Sequence, residues 1–307
     1  MRALLIGNGI QSKRIQQILK NLRISFDILD SKSIINKIKA KKYKFVFILS
    51  PNRTHFKFLK YFEKKTYLFC EKPPVNNLQE LKEIKKFSHN RIYFNYNFRF
   101  SIISEILKNR KKYKLGGLLH ANFSITHGLA QKKDYVENWR SKKNLCPTGV
   151  FETVLIHYVD LIGFHFQIKK IKNLTIKNTS KIGSGFDTAS CKLETKNNVQ
   201  INFFSTYNSP LSKKILFIFT NGIIEQDENF VKVFGPAKNL DVNGFYKKPK
   251  LIKSFKISEK LDHKISLKKS IDYFLYVAKK KKNFSKNLFN KSLKSNELIL
   301  NKKSYDL

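Results

Sequence analysis

Ala3-Leu4-Leu5-Ile6-Gly7-Asn8-Gly9-Ile10-Gln11-Ser12 is the stretch that decides the fold. Four apolar residues run straight into paired glycines. Ile15, Ile18, Leu19 and Leu22 then recur at helical spacing, which predicts a strand over 3–6 and a helix over 12–22. In this G-x-G-x-x-S turn the first glycine allows the sharp reversal, and the second lets backbone amides approach a pyrophosphate. Ser12 stands where a small residue is needed for helix–strand packing. A second strand, Ile24 to Leu29, ends at Asp30, where a carboxylate would bind the adenosine ribose hydroxyls and repel a 2′-phosphate. The cofactor contacts expected here are Gly7, Asn8, Gly9, Ile10, Gln11 and Asp30, with NAD as the cofactor and NADP as the alternative. An ordinary βα turn followed by an acidic turn residue is the competing reading.

Working outward, Ser33 to Ala40 reads as a short helix. Phe45 to Leu49 is a continuous apolar run closed by Ser50-Pro51-Asn52, the pattern of a strand buried on both faces. A helix over 55–64, a strand over 67–70, a helix over 78–87 and a strand over 92–95 complete the alternation. That order predicts parallel βαβ units in a doubly wound sheet of Rossmann type. After Arg99 the texture changes. Helices are expected over 102–113 and 150–163, and a strand over 118–126. Strands follow over 171–177, 188–195, 199–207, 214–220, 222–226 and 230–234, then a helical tail. The second part is therefore expected to be an α+β domain with a large, mostly antiparallel sheet, one face covered by the 150–163 helix. The expected domains are 1–97 for the dinucleotide and 98–307 for substrate and oligomerisation. The apolar strands 199–207 and 214–220 point to a homodimer or homotetramer paired through that sheet.

The 307 residues carry a formal charge of +39, which raises nucleic acid as a partner. Of 61 basic residues only eight are arginine, and the lysines spread along the whole chain. Base readout and bidentate phosphate recognition favour arginine in a concentrated stripe. Lysine-coded surface positions explain the charge better, and no specific nucleic-acid partner is expected. No run of about 18 uncharged apolar residues predicts a membrane span. Arg2 and the short run broken at Gly7 carry no signal-peptide pattern. Cys70, Cys146 and Cys191 follow neither a disulfide framework nor a metal-site spacing, so free thiols, a cytoplasmic location and no metal are expected.

The chemistry-bearing residues lie in three places. Ser50, Pro51, Asn52 and His55 follow the third strand at the carboxyl edge, where open α/β sheets bind ligands, though Asn52 or Thr54 can equally cap the next helix. Glu71-Lys72-Pro73 follows the fourth strand on the same side. A lysine there, beside a nicotinamide and a hydroxyl, can polarise the hydroxyl or share its proton. His157 and Asp160 share a face of an apolar helix. They read either as a satisfied core pair or as a base with a carboxylate nearby.

These pieces, in this order, resemble the Gfo/Idh/MocA oxidoreductases, the family of glucose–fructose oxidoreductase and inositol dehydrogenase. The resemblance is carried by 48–55, Cys70-Glu71-Lys72-Pro73, 95–100, Asn138-Trp139-Arg140 and 149–160. It implies an NAD(P)-dependent dehydrogenase or reductase acting on a secondary hydroxyl or ketone of a sugar, cyclitol or sugar nucleotide. Lys72 and His157 would be catalytic, and Glu71 and Lys72 would also contact the cofactor. Lys72, Arg99, Trp139, Arg140, Thr153 and His157 would contact substrate. The positive charge, with Arg99 and Arg140, favours a phosphorylated or nucleotide-linked sugar, as in surface-glycan precursor synthesis. One departure matters: Thr153 stands where the family often has an aspartate, with Glu152 beside it. A non-catalytic dinucleotide-binding homologue is the alternative.

Overall fold

A computed structural model describes residues 2–30, 42–236, 240–247 and 249–301. The helix expected over 33–40 lies outside the described residues. The described residues form two units, one from 2–97 and 267–300 and one from 98–266 with Asn301.

In the first unit, β1 (Arg2–Ile6), β2 (Ser25–Leu29), β3 (Phe45–Ile48), β4 (Tyr67–Glu71) and β5 (Ile92–Asn95) form a wholly parallel sheet in the order β2-β1-β3-β4-β5. The order reverses between β1 and β3, and there the loops at the carboxyl ends open a ligand crevice. β3 is fully buried along its length, as its unbroken apolar run requires. Helices α1 (Ile10–Asn21), α2 (His55–Phe62) and α3 (Leu78–Ile84) make the connections.

In the second unit, α4 (Ile102–Lys108) precedes β6 (Leu118–Thr126). A π-helical turn over Phe151–Leu155 runs into α5 (Ile156–His165). The strands β7 (Ile168–Lys177), β8 (Thr188–Thr195), β9 (Gln200–Thr206), β10 (Ser212–Phe219), β11 (Gly222–Gln226), β12 (Phe230–Phe234) and β13 (Leu251–Lys256) complete an eight-stranded sheet. Its order is β13-β12-β11-β10-β6-β9-β8-β7, antiparallel except where β6 runs parallel to β9. Sequence reading overlooked β13, an edge strand with mostly exposed side chains and therefore no apolar alternation. Alternation is clear on β10, where Ile215, Phe217 and Phe219 are buried and Leu216 and Ile218 are half-buried. α5 covers the buried face: its Tyr158 ring lies 5.5 Å from Phe123, which stacks on Phe203 at 4.7 Å. The other face leaves Leu216, Ile218 and Ile223 half-buried and Phe204 exposed.

The tail corrects the expected 98–307 domain. It forms α6 (Glu259–Lys279) and α7 (Lys286–Leu300), and from Leu267 onward these belong to the first unit. The cause is aromatic packing. Phe274 sits edge-on to Phe47 at 5.3 Å and to Phe69 at 5.4 Å, and Phe289 lies 5.4 Å from Phe94. Asn296 Oδ1 also accepts from the Val75 amide at 3.0 Å.

Candidate active site

The glycine turn is built for close approach. Gly7 has φ +104°, and a Cβ there would meet Leu49 O and Ser50 at 2.9 Å, so only glycine lets the β1–α1 turn sit against the loop after β3. Gly9 caps α1, and a Cβ built on it meets nothing within 4 Å. No side chain caps the amides of α1, and no acidic residue lies in its first turn. Uncapped amides at the positive end of a 12-residue helix, with open space before them, suit a pyrophosphate. Asp30 is exposed at the end of β2. Ile10 is 74% exposed beside the turn, and Asn8 accepts a hydrogen bond from Gln16. These residues fit a bound dinucleotide.

Gln11 has a different task from the one expected. Its Nε2 donates to Glu71 Oε1 at 3.0 Å, so its side chain ties the glycine turn to the step after β4. Asn95 Nδ2 donates to the same oxygen at 2.7 Å. Ser270 donates to Asn95 Oδ1 at 2.7 Å, which leaves the Tyr93 hydroxyl to donate to Ser270 at 2.8 Å. Burial pushes the Glu71 carboxyl above its ordinary range, and the hydrogen bonds from Asn95 and Gln11 oppose that rise. The network fixes the backbone that carries half-buried Lys72, whose peptide bond to Pro73 is cis. Sequence reading missed Asn95 and Ser270 as supports. Ser270 arrives from α6, and no local pattern marks it.

His55 is a correction. It is fully buried, with Nδ1 2.8 Å from Pro73 O and Nε2 2.8 Å from Ser50 O, so it braces two loops and has no ring nitrogen left for a cofactor. Burial pushes its pKa down. Ser50 is buried and bonded to Thr54 at 2.6 Å, while Pro51 is exposed and Asn52 half-buried at the loop surface. The Thr54 hydroxyl donates to Pro51 O rather than capping α2.

In the second unit, Gly149 has φ +57° and packs so tightly under Phe186 that a Cβ would overlap its carbonyl. The π-helical turn begins two residues later, at Phe151, and such turns often mark functional positions. Thr153 donates to Gly149 O at 2.9 Å, so the Tyr207 hydroxyl must donate to Thr153 Oγ1. Tyr207 is buried, its phenol pushed well up by burial, and its ring lies 4.6 Å from that of His127. Sequence reading had no signal for Tyr207, which follows β9 and lies 54 residues away from Thr153. Glu152 accepts from the amide and hydroxyl of Thr148, at 3.2 and 2.8 Å, and so ties the turn to the residues before it. His157, one turn after Thr153 and half-buried, stacks on Phe98 at 4.7 Å.

Arg99 is the second correction. Its Nε and Nη2 donate to Asp160 Oδ2 and Oδ1 at 2.8 and 2.6 Å, and both side chains are almost wholly buried. A guanidinium so enclosed does not reach substrate, and Asp160 serves Arg99. Trp139 and Arg140 are half-buried, with the guanidinium 4.3 Å above the indole. A separate cleft of about 670 Å³, lined by Arg110, His165 and Lys196 among others, contains none of the expected site residues.

Residues 9–92 match the Gfo/Idh/MocA family, described as an oxidoreductase family with an NAD-binding Rossmann fold. No curated protein matches the chain. Among solved structures, levoglucosan dehydrogenase in complex with NADH aligns at TM-score 0.79 and 12% identity, over 99% of this chain and 96% of that one. An oxidoreductase from Agrobacterium radiobacter, in complex with NAD+, L-tartaric acid and magnesium, aligns at 0.77 and 16% identity, over 97% and 94%. An oxidoreductase from Thermotoga maritima aligns at 0.76 and 18% identity, with the same coverage. At these identities the likeness establishes the fold.

Proposed function

We propose that this chain, whose residues 9–92 match the Gfo/Idh/MocA oxidoreductase family with its NAD-binding Rossmann fold, transfers hydride between NAD and a secondary hydroxyl or ketone of a sugar or sugar derivative. The observation that carries this reading is the Gln11–Glu71 hydrogen bond, which ties the glycine turn directly to the segment bearing Lys72. Two of the aligned structures hold levoglucosan or L-sorbose, and another holds L-tartaric acid; all three ligands carry secondary hydroxyls.

When bound, NAD supplies the hydride acceptor or donor. Gly7 and Gly9 and the first amides of α1 would hold its pyrophosphate, and exposed Asp30 would select against a 2′-phosphate. In this reading His157, stacked on Phe98, would take the hydroxyl proton, and the Lys72 ammonium would stabilise the developing alkoxide. Thr153 contributes no charge, and Glu152 is committed to Thr148, so the acid–base work falls to Lys72 and His157.

The test is turnover of a panel of polyols and ketoses with NAD(H) and NADP(H). NADH formed or consumed with at least one member, at higher efficiency than with the phosphorylated cofactor, is expected. Tight NADH binding with no turnover would favour the non-catalytic homologue, which the uncharged, internally bonded Thr153 also suits. Copies of the chain are proposed to pair through the sheet face bearing Phe204, Leu216, Ile218 and Ile223. A monomer by light scattering at micromolar concentration would contradict that pairing.

A further inference from the structure

The segment joining β12 to β13 carries the most exposed large apolar side chains among the described residues of the second unit. Val242 is 98%, Tyr246 90% and Phe245 71% exposed, and Leu240 is exposed beside them. The turn that presents them is fully formed. Leu240 and Tyr246 make an antiparallel bridge, the Asp241 amide donates to Phe245 O at 2.9 Å, and the Gly244 amide donates to Asp241 O at 3.2 Å. Asp241 Oδ1 accepts from the amides of Asn243 and Phe245 at 2.8 and 2.9 Å, and Gly244 takes φ +84° to close the turn. The turn thus pairs its amides internally and leaves its apolar side chains to the outside.

The surrounding charge is of one sign. From Asn229 to Ser258 the chain has seven lysines, no arginine and a single carboxylate, Asp241, which is committed to the turn's own amides. Lys247 follows Tyr246 directly, and Lys250 O accepts from the Gly235 amide at 3.0 Å across the base of the hairpin; both lysine side chains are exposed. Lysines without arginine offer diffuse positive charge rather than a fork for one phosphate. Four apolar side chains on one short turn are too few for the core of a stable protein interface, which takes about 20–30 residues a side. A bilayer surface asks for less. It takes a few apolar and aromatic side chains below the headgroups, cations level with anionic lipid, and backbone donors paired internally.

We propose that the 240–246 turn is a docking tip that sets the second unit on an anionic phospholipid surface. Val242, Phe245 and Tyr246 enter the interface, and Lys247 and Lys250 meet the headgroups. The contact is peripheral, since among the described residues no helix is long and apolar enough to cross a membrane. Asp241 and Asn243 keep it shallow, because neither side chain enters hydrocarbon without cost.

The full chain is sedimented with vesicles of phosphatidylcholine alone and of phosphatidylcholine with phosphatidylserine, at low and high salt. Partition is expected to be about tenfold or more stronger onto the anionic vesicles and to weaken as salt screens the lysines. The triple variant Val242→Ser, Phe245→Ser, Tyr246→Ser should lose about tenfold or more of that partition, with its thermal midpoint unchanged because these side chains are exposed. Val242→Asp alone, which sets a negative charge at the tip, should lose most of it. Because the whole chain is basic, Lys57→Gln, Lys82→Gln, Lys86→Gln serves as the control. It removes three exposed charges from the first unit and should change little. No sedimentation with anionic vesicles, undiminished partition of the serine variant, or an equal loss in the control would overturn the proposal. A smaller mass by light scattering for the serine variant would overturn it too, assigning the tip to a second copy of this chain.

Discussion

Lys72→Ala is expected to lower turnover by about 10²-fold or more while leaving NADH affinity within a few-fold of the unsubstituted protein. The two effects separate because the cofactor's holding groups lie elsewhere, in the Gly7–Gly9 turn and the uncapped start of α1. The position of the lysine is set by its neighbour. Glu71 is held from one side by Gln11 and from the other by Asn95, and Asn95 is held in turn by Ser270. Lys72→Arg keeps the charge but moves it on a longer, planar head, so it should recover only part of the loss. His157→Gln, which retains a hydrogen-bonding amide but no base, should fall by a similar factor. Steady-state kinetics beside an NADH titration reads all three variants. Turnover preserved in Lys72→Ala would remove the proton-handling role assigned to it.

Breaking the Arg99–Asp160 pair should have the largest effect on stability. Both groups are almost fully buried and joined by two short hydrogen bonds, so deleting one partner strands a charge in the interior. Arg99→Met is expected to cost about 3–5 kcal/mol, and Asp160→Asn to be comparably damaging. Replacing both together, Arg99→Met with Asp160→Leu, should restore much of that loss, because neither charge then pays for desolvation. Urea unfolding of the two single variants and the double variant measures this. A stable Arg99→Met variant with raised KM for an acidic sugar would instead return Arg99 to the substrate.

The fold was legible wherever its cause is local. The run Phe45 to Ile48 announces a strand buried on both faces, and the Gly7-Asn8-Gly9 turn lies between a strand and a helix as its spacing requires. Partnership was not legible, because it depends on residues distant in sequence. Leu267, Ile271, Phe274 and Leu275 reveal an apolar helix face but not that Phe274 would pack on Phe47 and Phe69. Arg99 and Arg140 look alike as lone arginines; one is enclosed by Asp160 and the other lies half-open on Trp139. His55 read as a cofactor contact because its loop faces the crevice, yet two backbone carbonyls claim its ring. Thr153 was singled out as a departure, but its partner, Tyr207, follows β9, far from it in sequence.

The central claim is that a hydride passes between NADH and a carbinol carbon under the control of Lys72 and His157. Its most direct measurement is transfer of deuterium from NADH labelled at the nicotinamide C4 to ketoses of the panel, followed by mass spectrometry of the product. The account predicts one deuterium on the new carbinol carbon with the unsubstituted protein, and little or none in the same time with Lys72→Ala. Labelled NADH that binds and is consumed without deuterium appearing in any product, or transfer by Lys72→Ala at the unsubstituted rate, would contradict it.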